Sequence, residues 1–314
     1  MTDAVPALYD LLLKSGFSPS RLKRNAPMRA YTTFHIGGPA DLLCEAASPS
    51  QVRLALEAAR SLSVPVTLIG NGSNLLVRDG GIRGLVLRLI PPDQPDAPLS
   101  EDAGSVLLSC FAGSSLAGLA SYACSRGLSG MAELSGIPGT LGGGAVMNAG
   151  AYGGELSQVI RTVHSLSLAD LSPRTFEGDT LGFGYRTSAM AGAGVVVTEV
   201  TLSLPRGDTD EIRARMRDLA AARREKQPLD LPSAGSAFKR PAGGFAAKMI
   251  DECGLRGTAI GGAQVSEKHA GFIVNRGDAT ADDVLRLMAL VRERVSVRFG
   301  VMLEPEIRIL GNDI

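Results

Sequence analysis

The sequence predicts an α+β protein built from two or three subdomains, and three observations carry that prediction. The chain has 314 residues, more than one domain usually takes. Segments with strand character follow one another as often as they follow helical segments. Glycine supplies 38 residues, about 12% against a usual share near 7%, and much of the excess falls in two loops. Charge removes one class of partner at the outset: 32 Lys and Arg balance 32 Asp and Glu, without the basic excess that a nucleic-acid backbone demands.

A helix opens the chain, and its leading MTDAVPALYD lacks the basic and then apolar layout of a signal peptide. Ser48, Pro49 and Ser50 can cap a second helix, whose Val52, Leu54, Leu56, Ala59 and Leu62 suit one face. Strand patterns over 64–69, 75–81 and 84–90, separated by Gly70–Asn74 and by Gly80-Gly81, read as a meander. The Pro- and Asp-rich run 91–98 reads as an internal boundary. Beyond it come a strand (106–113), a helix (115–127), a long glycine-rich loop (130–154) and strands over 159–168 and 194–204. A second boundary is expected near Pro205. A charged amphipathic helix then runs to Pro228, and a last helix starts at Thr280 with Asp283 three residues on, a capping box. The run 302–310 reads as a closing strand, with Glu304, Glu306 and Arg308 on one face and Pro305 admissible only at an edge. These boundaries divide the chain into 1–90, 91–205 and 206–314.

Cys44, Cys110, Cys124 and Cys253 form no CxxC pair and have no His at zinc-ligand spacing, so no metal site is expected and a reducing, cytoplasmic location is. No apolar run reaches the roughly 18 residues of a membrane span, so no membrane insertion is expected.

The first glycine loop, Gly70-Asn71-Gly72-Ser73-Asn74-Leu75, lacks the third glycine of a dinucleotide fingerprint and leads into a strand, not a helix. What remains is a turn whose consecutive N–H groups can face one way, a nest suited to a pyrophosphate; an ordinary hairpin is the competing reading. The second loop places nine glycines in 130–154. Gly139 and Gly144 have Walker spacing, but Ala145 and Val146 stand where Lys and Ser or Thr must be, which excludes a nucleotide triphosphatase. Few charges and many glycines suit close backbone approach to a large flat ligand. Ser236 lies in no GxSxG elbow, and His35, His164 and His269 are scattered, which argues against a hydrolase triad. On its own, Arg186 reads as a surface arginine.

Seven segments in order, YTTFHIGGPADLL, LIGNGSNLLVRDGGIRGLVLRL, LSGIPGTLGGGAVMNAGAYGGEL, FGYRTS, REKQPLDLPSAGSAFKRP, HAGFIVNRG and LEPEIRILG, together resemble the UDP-N-acetylenolpyruvoylglucosamine reductase family from about Asn25 onward. The resemblance implies a vanillyl-alcohol-oxidase-type (PCMH-like) FAD-binding fold of two subdomains with a C-terminal substrate domain. It implies non-covalent FAD, NADPH as reductant and a UDP-sugar as substrate, the enolpyruvyl ether being reduced to UDP-N-acetylmuramate; it says nothing of oligomeric state. Matched motif by motif, Ser236 corresponds to the family's proton donor, Arg186 to its active-site arginine and Glu306 to its active-site glutamate. Lys226, Arg240, His269 and Arg308 fall at or beside UDP-sugar contacts. FAD contacts are expected from Gly70, Asn71, Gly72, Ser73, Asn74 and Leu75, and from Ser135, Gly136, Ile137, Gly139, Thr140, Gly142 and Asn148. Only eight residues separate Arg186 from Val195, too few for the tyrosine-bearing loop that closes over substrate in one branch of the family, so the chain resembles the type II form. The competing readings are a flavin-dependent sugar or alcohol oxidase on the same scaffold and a non-catalytic binder. Against the oxidase, no His or Cys stands in the first glycine turn to tether a flavin.

Overall fold

The structure is a computed structural model that describes residues 4–92, 97–102 and 104–313. Residues 93–96, the centre of the expected 91–98 boundary, lie outside the described residues. Seven α-helices are described: α1 (Ala4–Lys14), α2 (Pro49–Ser61), α3 (Leu116–Ser125), α4 (Leu141–Met147), α5 (Thr209–Lys226), α6 (Ala246–Glu252) and α7 (Ala281–Phe299). Their boundaries follow local chemistry. The Ser48 hydroxyl accepts from Gln51 N–H to start α2, and Thr280 and Asp283 form the expected capping box on α7, which Gly300 ends in the left-handed conformation.

The chain divides into two compact units, one of residues 1–23, 42–71 and 84–221, the other of 24–41, 72–83 and 222–314. The first contains a five-stranded antiparallel sheet in the order Pro173–Glu177, Ile160–Ser167, Val195–Pro205, Ser105–Phe111, Ala97–Asp102. Its core gathers alternate residues of these strands, such as Leu108, Val163, Val200 and Leu202, with Leu56 of α2 and Leu116 and Leu119 of α3. The second contains a four-stranded antiparallel sheet in the order Ser233–Ser236, Phe272–Asn275, Ala263–Val265, Ala259–Ile260. Val284, Leu287, Val291 and Val295 line the apolar stripe of α7 in a core that also holds Phe34, Leu76 and Ile307.

Three expectations require correction. Val66–Ile69 and Ile82–Leu89 run parallel, and between them Leu75–Val77 leaves to pair in parallel with Arg308–Leu310, so there is no meander. Parallel neighbours cannot be joined by a tight turn, and the intervening chain serves a different sheet. The glycine-rich segment 130–154 is not a plain loop either: it holds a short 3-10 turn, α4 and a two-residue hairpin. Glycine is a poor helix former, but a Cβ on Gly142 would sit 2.7 Å from Ala112 Cβ and one on Gly144 2.7 Å from Leu156 Cδ1, so packing demands glycine here. Lastly, the closing strand is confined to Arg308–Leu310, and Pro305 makes only an isolated bridge with Phe238. Without an N–H, Pro305 interrupts the ladder, and Glu304, Glu306 and Arg308 do not share one strand face.

Candidate active site

In the second unit, Ser236 ends the strand Ser233–Ser236 and pairs in register with Phe272. Gly235, at φ +76, lies within an irregularity of that register. The next residue fixes the chain on both sides: Ala237 N–H donates to Gly271 O at 2.8 Å, and Ala237 O accepts from Glu306 N–H at 2.9 Å. Two sequence-distant candidates, Ser236 and Glu306, are thus one residue and one hydrogen bond apart. Asn74 closes the group. Its Nδ2 donates to Glu306 O at 3.0 Å, while its own carbonyl accepts from Arg308 N–H at 3.0 Å. Leu75 follows as the partner of Arg308 in the parallel ladder.

His269 lies in the loop before Phe272. Its Nδ1 accepts from Gly271 N–H at 3.1 Å and its ring meets Phe272 edge-on at 5.0 Å. Burial pushes its pKa below the ordinary value, and with Nδ1 used as acceptor the neutral ring carries its proton on Nε2. In that form Nε2 is a hydrogen-bond donor. The Arg240 guanidinium lies over the Phe245 ring at 4.3 Å, and exposed Lys226 ends α5. Gly72 is buried at φ +64, where a Cβ would fall 2.2 Å from Tyr31 O; half-buried Ser73 completes the turn.

One contributor had no assigned role in the sequence: Thr33, whose hydroxyl donates to Ser233 O at 2.7 Å and whose carbonyl accepts from Ser233 N–H at 3.1 Å. Together these bonds anchor the start of the strand that carries Ser236. Its signal was its place in the segment YTTFHIGGPADLL, which names no partner.

In the first unit the two glycine loops meet. Asn71 Nδ2 donates to Pro138 O at 3.1 Å, and a Cβ on Gly70 would lie 2.3 Å from Thr140 Oγ1. Thr140 caps α4, accepting from Gly143 N–H at 3.4 Å, and Gly142 N–H donates to Ala112 O at 2.8 Å. The first turn of that helix is therefore satisfied by the protein. Among the described residues, the main-chain N–H groups of Asn71, Gly139 and Thr140 have no acceptor, although Thr140 is only 3% exposed. The buried Thr140 N–H calls for a ligand, and with the half-buried N–H groups of Asn71 and Gly139 it makes a glycine-lined patch that fits the pyrophosphate of a dinucleotide cofactor. Ser135 and Ile137 bond back to Ala132 O and Leu134 O, with exposed Gly136 between them.

Arg186 belongs to this first unit and stands on left-handed backbone at φ +55. Its Nη1 donates to Gly150 O at 3.3 Å, and its guanidinium lies 5.4 Å from the Tyr185 ring centre. Asn148, 1% exposed, ends α4 and turns its side chain inward: Nδ2 donates to Gly184 O at 3.1 Å and Oδ1 accepts from Ser157 N–H at 2.9 Å.

Comparison with known proteins gives one consistent answer. Residues 40–172 match the FAD binding domain, and residues 227–310 match the C-terminal domain of UDP-N-acetylenolpyruvoylglucosamine reductase. The reductase of Clostridioides difficile (strain 630) is 43% identical over 298 residues, 94% of this chain and 95% of that protein. That of Agathobacter rectalis is 46% identical over 297 residues, 92% and 94% of the two chains. Among solved structures, the reductase of Thermus caldophilus is similar with a TM-score of 0.76 at 36% identity, covering 93% of this chain and 99% of that one.

Proposed function

The chain belongs to the UDP-N-acetylenolpyruvoylglucosamine reductase family, and on that premise we propose which of its residues do the work. It is an FAD-dependent oxidoreductase of peptidoglycan precursor synthesis, on a PCMH-like FAD-binding fold, that reduces UDP-N-acetylenolpyruvoylglucosamine with NADPH. The sugar or alcohol oxidase reading is the weaker one, because residues 227–310 match the reductase's own C-terminal domain.

Under this proposal the first 205 residues serve FAD, in subdomains 1–90 and 91–205, and residues 206–314 take the UDP-sugar. The N–H groups of Asn71, Gly139 and Thr140 supply donors for the cofactor's phosphates, with Gly70 and Gly142 keeping the backbone free of Cβ atoms and Gly72, Ser73 and Leu75 continuing the turn. FAD held by these residues would supply the two-electron hydride chemistry that links NADPH to the enolpyruvyl methylene carbon.

The adjacent carbon then holds negative charge delocalised into the substrate carboxylate. Arg186, whose planar guanidinium matches a carboxylate, stabilises that charge. The Ser236 hydroxyl gives its proton to the carbon, which is basic enough to be protonated by an alcohol. Glu306 belongs to the same site as Ser236, and the observation that supports this pairing is the main-chain bond from Glu306 N–H to Ala237 O at 2.9 Å, which fastens the backbone of Glu306 beside the residue that follows Ser236. Neutral His269, with Lys226, Arg240 and Arg308, contacts the UDP-sugar. Consumption of NADPH and four free cysteines support a cytoplasmic location; among the described residues no helix is long and apolar enough to cross a membrane.

The test separates the two half-reactions. Ser236→Ala should bleach with NADPH as fast as the parent, since no proton goes to carbon in that step. Reoxidation by the enolpyruvyl substrate, followed by stopped flow, should slow by about 10²-fold or more. Slowed reduction with intact reoxidation would remove Ser236 from the proton-donor role.

A further inference from the structure

Arg186 is one of seven non-glycine residues at positive φ among the described residues. It occupies the centre of a two-residue turn closed by Gly184 N–H to Thr187 O at 3.1 Å and Thr187 N–H to Gly184 O at 3.3 Å. Three side-chain bonds tie this turn and the residue after it to 146–150. Asn148 Nδ2 donates to Gly184 O, Ser188 Oγ donates to Val146 O at 2.8 Å, and Arg186 Nη1 reaches Gly150 O.

Asn148 is the centre of that arrangement. As the left-handed residue ending α4, at φ +44, it occupies a position where glycine is the default, and asparagine tolerates the conformation second best. Its amide uses both ends, a donor toward Gly184 and an acceptor for Ser157 N–H, which Asp or Gly cannot reproduce together. A glycine there would cap the helix and leave the Arg186 turn with one tether fewer. At 1% exposure, the carboxamide is held by these two bonds to the protein.

We propose that Asn148 is a positioning residue for the active-site arginine: its carboxamide locks the turn that holds Arg186 in its left-handed conformation and aims the guanidinium. The inference rests on the proposal above that Arg186 acts on the substrate. No contact of Asn148 with FAD, NADPH or UDP-sugar is required.

Asn148→Gly tests it, because glycine accepts the left-handed backbone and keeps the helix end. The variant should retain the parent's flavin content while turnover falls by about tenfold or more. Trypsin should cleave the chain after Arg186 faster than in the parent, since a loosened turn opens locally more often. Asn148→Asp, which keeps the acceptor and loses the donor, should behave alike. In an Arg186→Ala background, Asn148→Gly should cost no further activity, the non-additivity expected of two residues acting as one unit. Loss of flavin in proportion to activity would overturn the proposal, as would the same fold-loss in the Arg186→Ala background or unchanged trypsin cleavage at Arg186. Full activity of Arg186→Ala alone would instead remove Arg186 from the reaction, and the trypsin comparison would still decide whether Asn148 holds the turn.

Discussion

Asn74 clasps the peptide of Glu306: its side-chain Nδ2 donates to Glu306 O at 3.0 Å, and its main-chain carbonyl accepts from Arg308 N–H at the same distance. One asparagine from the first glycine turn thereby holds both sides of Ile307, which is buried in the second core. A residue expected from its motif to touch cofactor is thus a clamp on the peptide of Glu306. Asn74→Ala should cost about 1–2 kcal/mol in urea denaturation, the loss of one hydrogen bond to a partly buried carbonyl. Turnover per bound flavin should fall as well, because Glu306 loses its restraint; unchanged turnover per flavin would separate Glu306 from catalysis.

Gly72 has no room for a side chain. At φ +64, with a Cβ predicted to fall 2.2 Å from Tyr31 O and 2.9 Å from Thr32 Cα, Gly72→Ala combines backbone strain with a clash against backbone. It should lose about 2–4 kcal/mol in thermal denaturation and release flavin more readily. Gly192→Ala is the control: its φ is +79 but nothing lies within 4 Å, so it should cost only about 1 kcal/mol.

Arg186→Lys keeps the charge and loses the planar fork. Turnover should fall by about tenfold or more at unchanged flavin content, because an ammonium cannot engage a carboxylate through two parallel donors. Steady-state rates normalised to bound flavin check this, and parental rates would return Arg186 to the surface.

His269 gives a pH dependence of defined sign. Burial depresses its folded-state pKa below the ordinary 6.5, so between those two values the unfolded chain binds the proton and the folded one does not. Its contribution to stability is complete above 6.5 and is lost as pH falls through the folded-state pKa. Urea midpoints should decline over that window, and His269→Gln should flatten the decline. An NMR titration of the ring should give a pKa below 6.5.

Local chemistry made some elements legible and left others hidden. Ser48 before α2 and the Thr280 and Asp283 box before α7 were readable because a cap acts within four residues of chain. The supposed meander misled because alternation says which residues share a face and nothing about which strand lies alongside: Leu75–Val77 pairs with a segment more than two hundred residues away. In 130–154 the glycine density pointed to loop, yet Gly142 and Gly144 are there to let α4 pack on Ala112 and Leu156. Thr33 was invisible for a similar reason, since its value lies in a bond to Ser233.

The sequence by itself determined the family, the FAD requirement and the identities of Ser236, Arg186 and Glu306 as candidates, because a motif keeps residue type and order. Only the tertiary structure decided how those residues are held. It put Ala237 between Ser236 and Glu306, Asn74 on the Glu306 peptide and Asn148 behind the Arg186 turn, through hydrogen bonds whose partners stand from tens to hundreds of residues apart. Those bonds depend on distance and direction in space, which chain order does not encode.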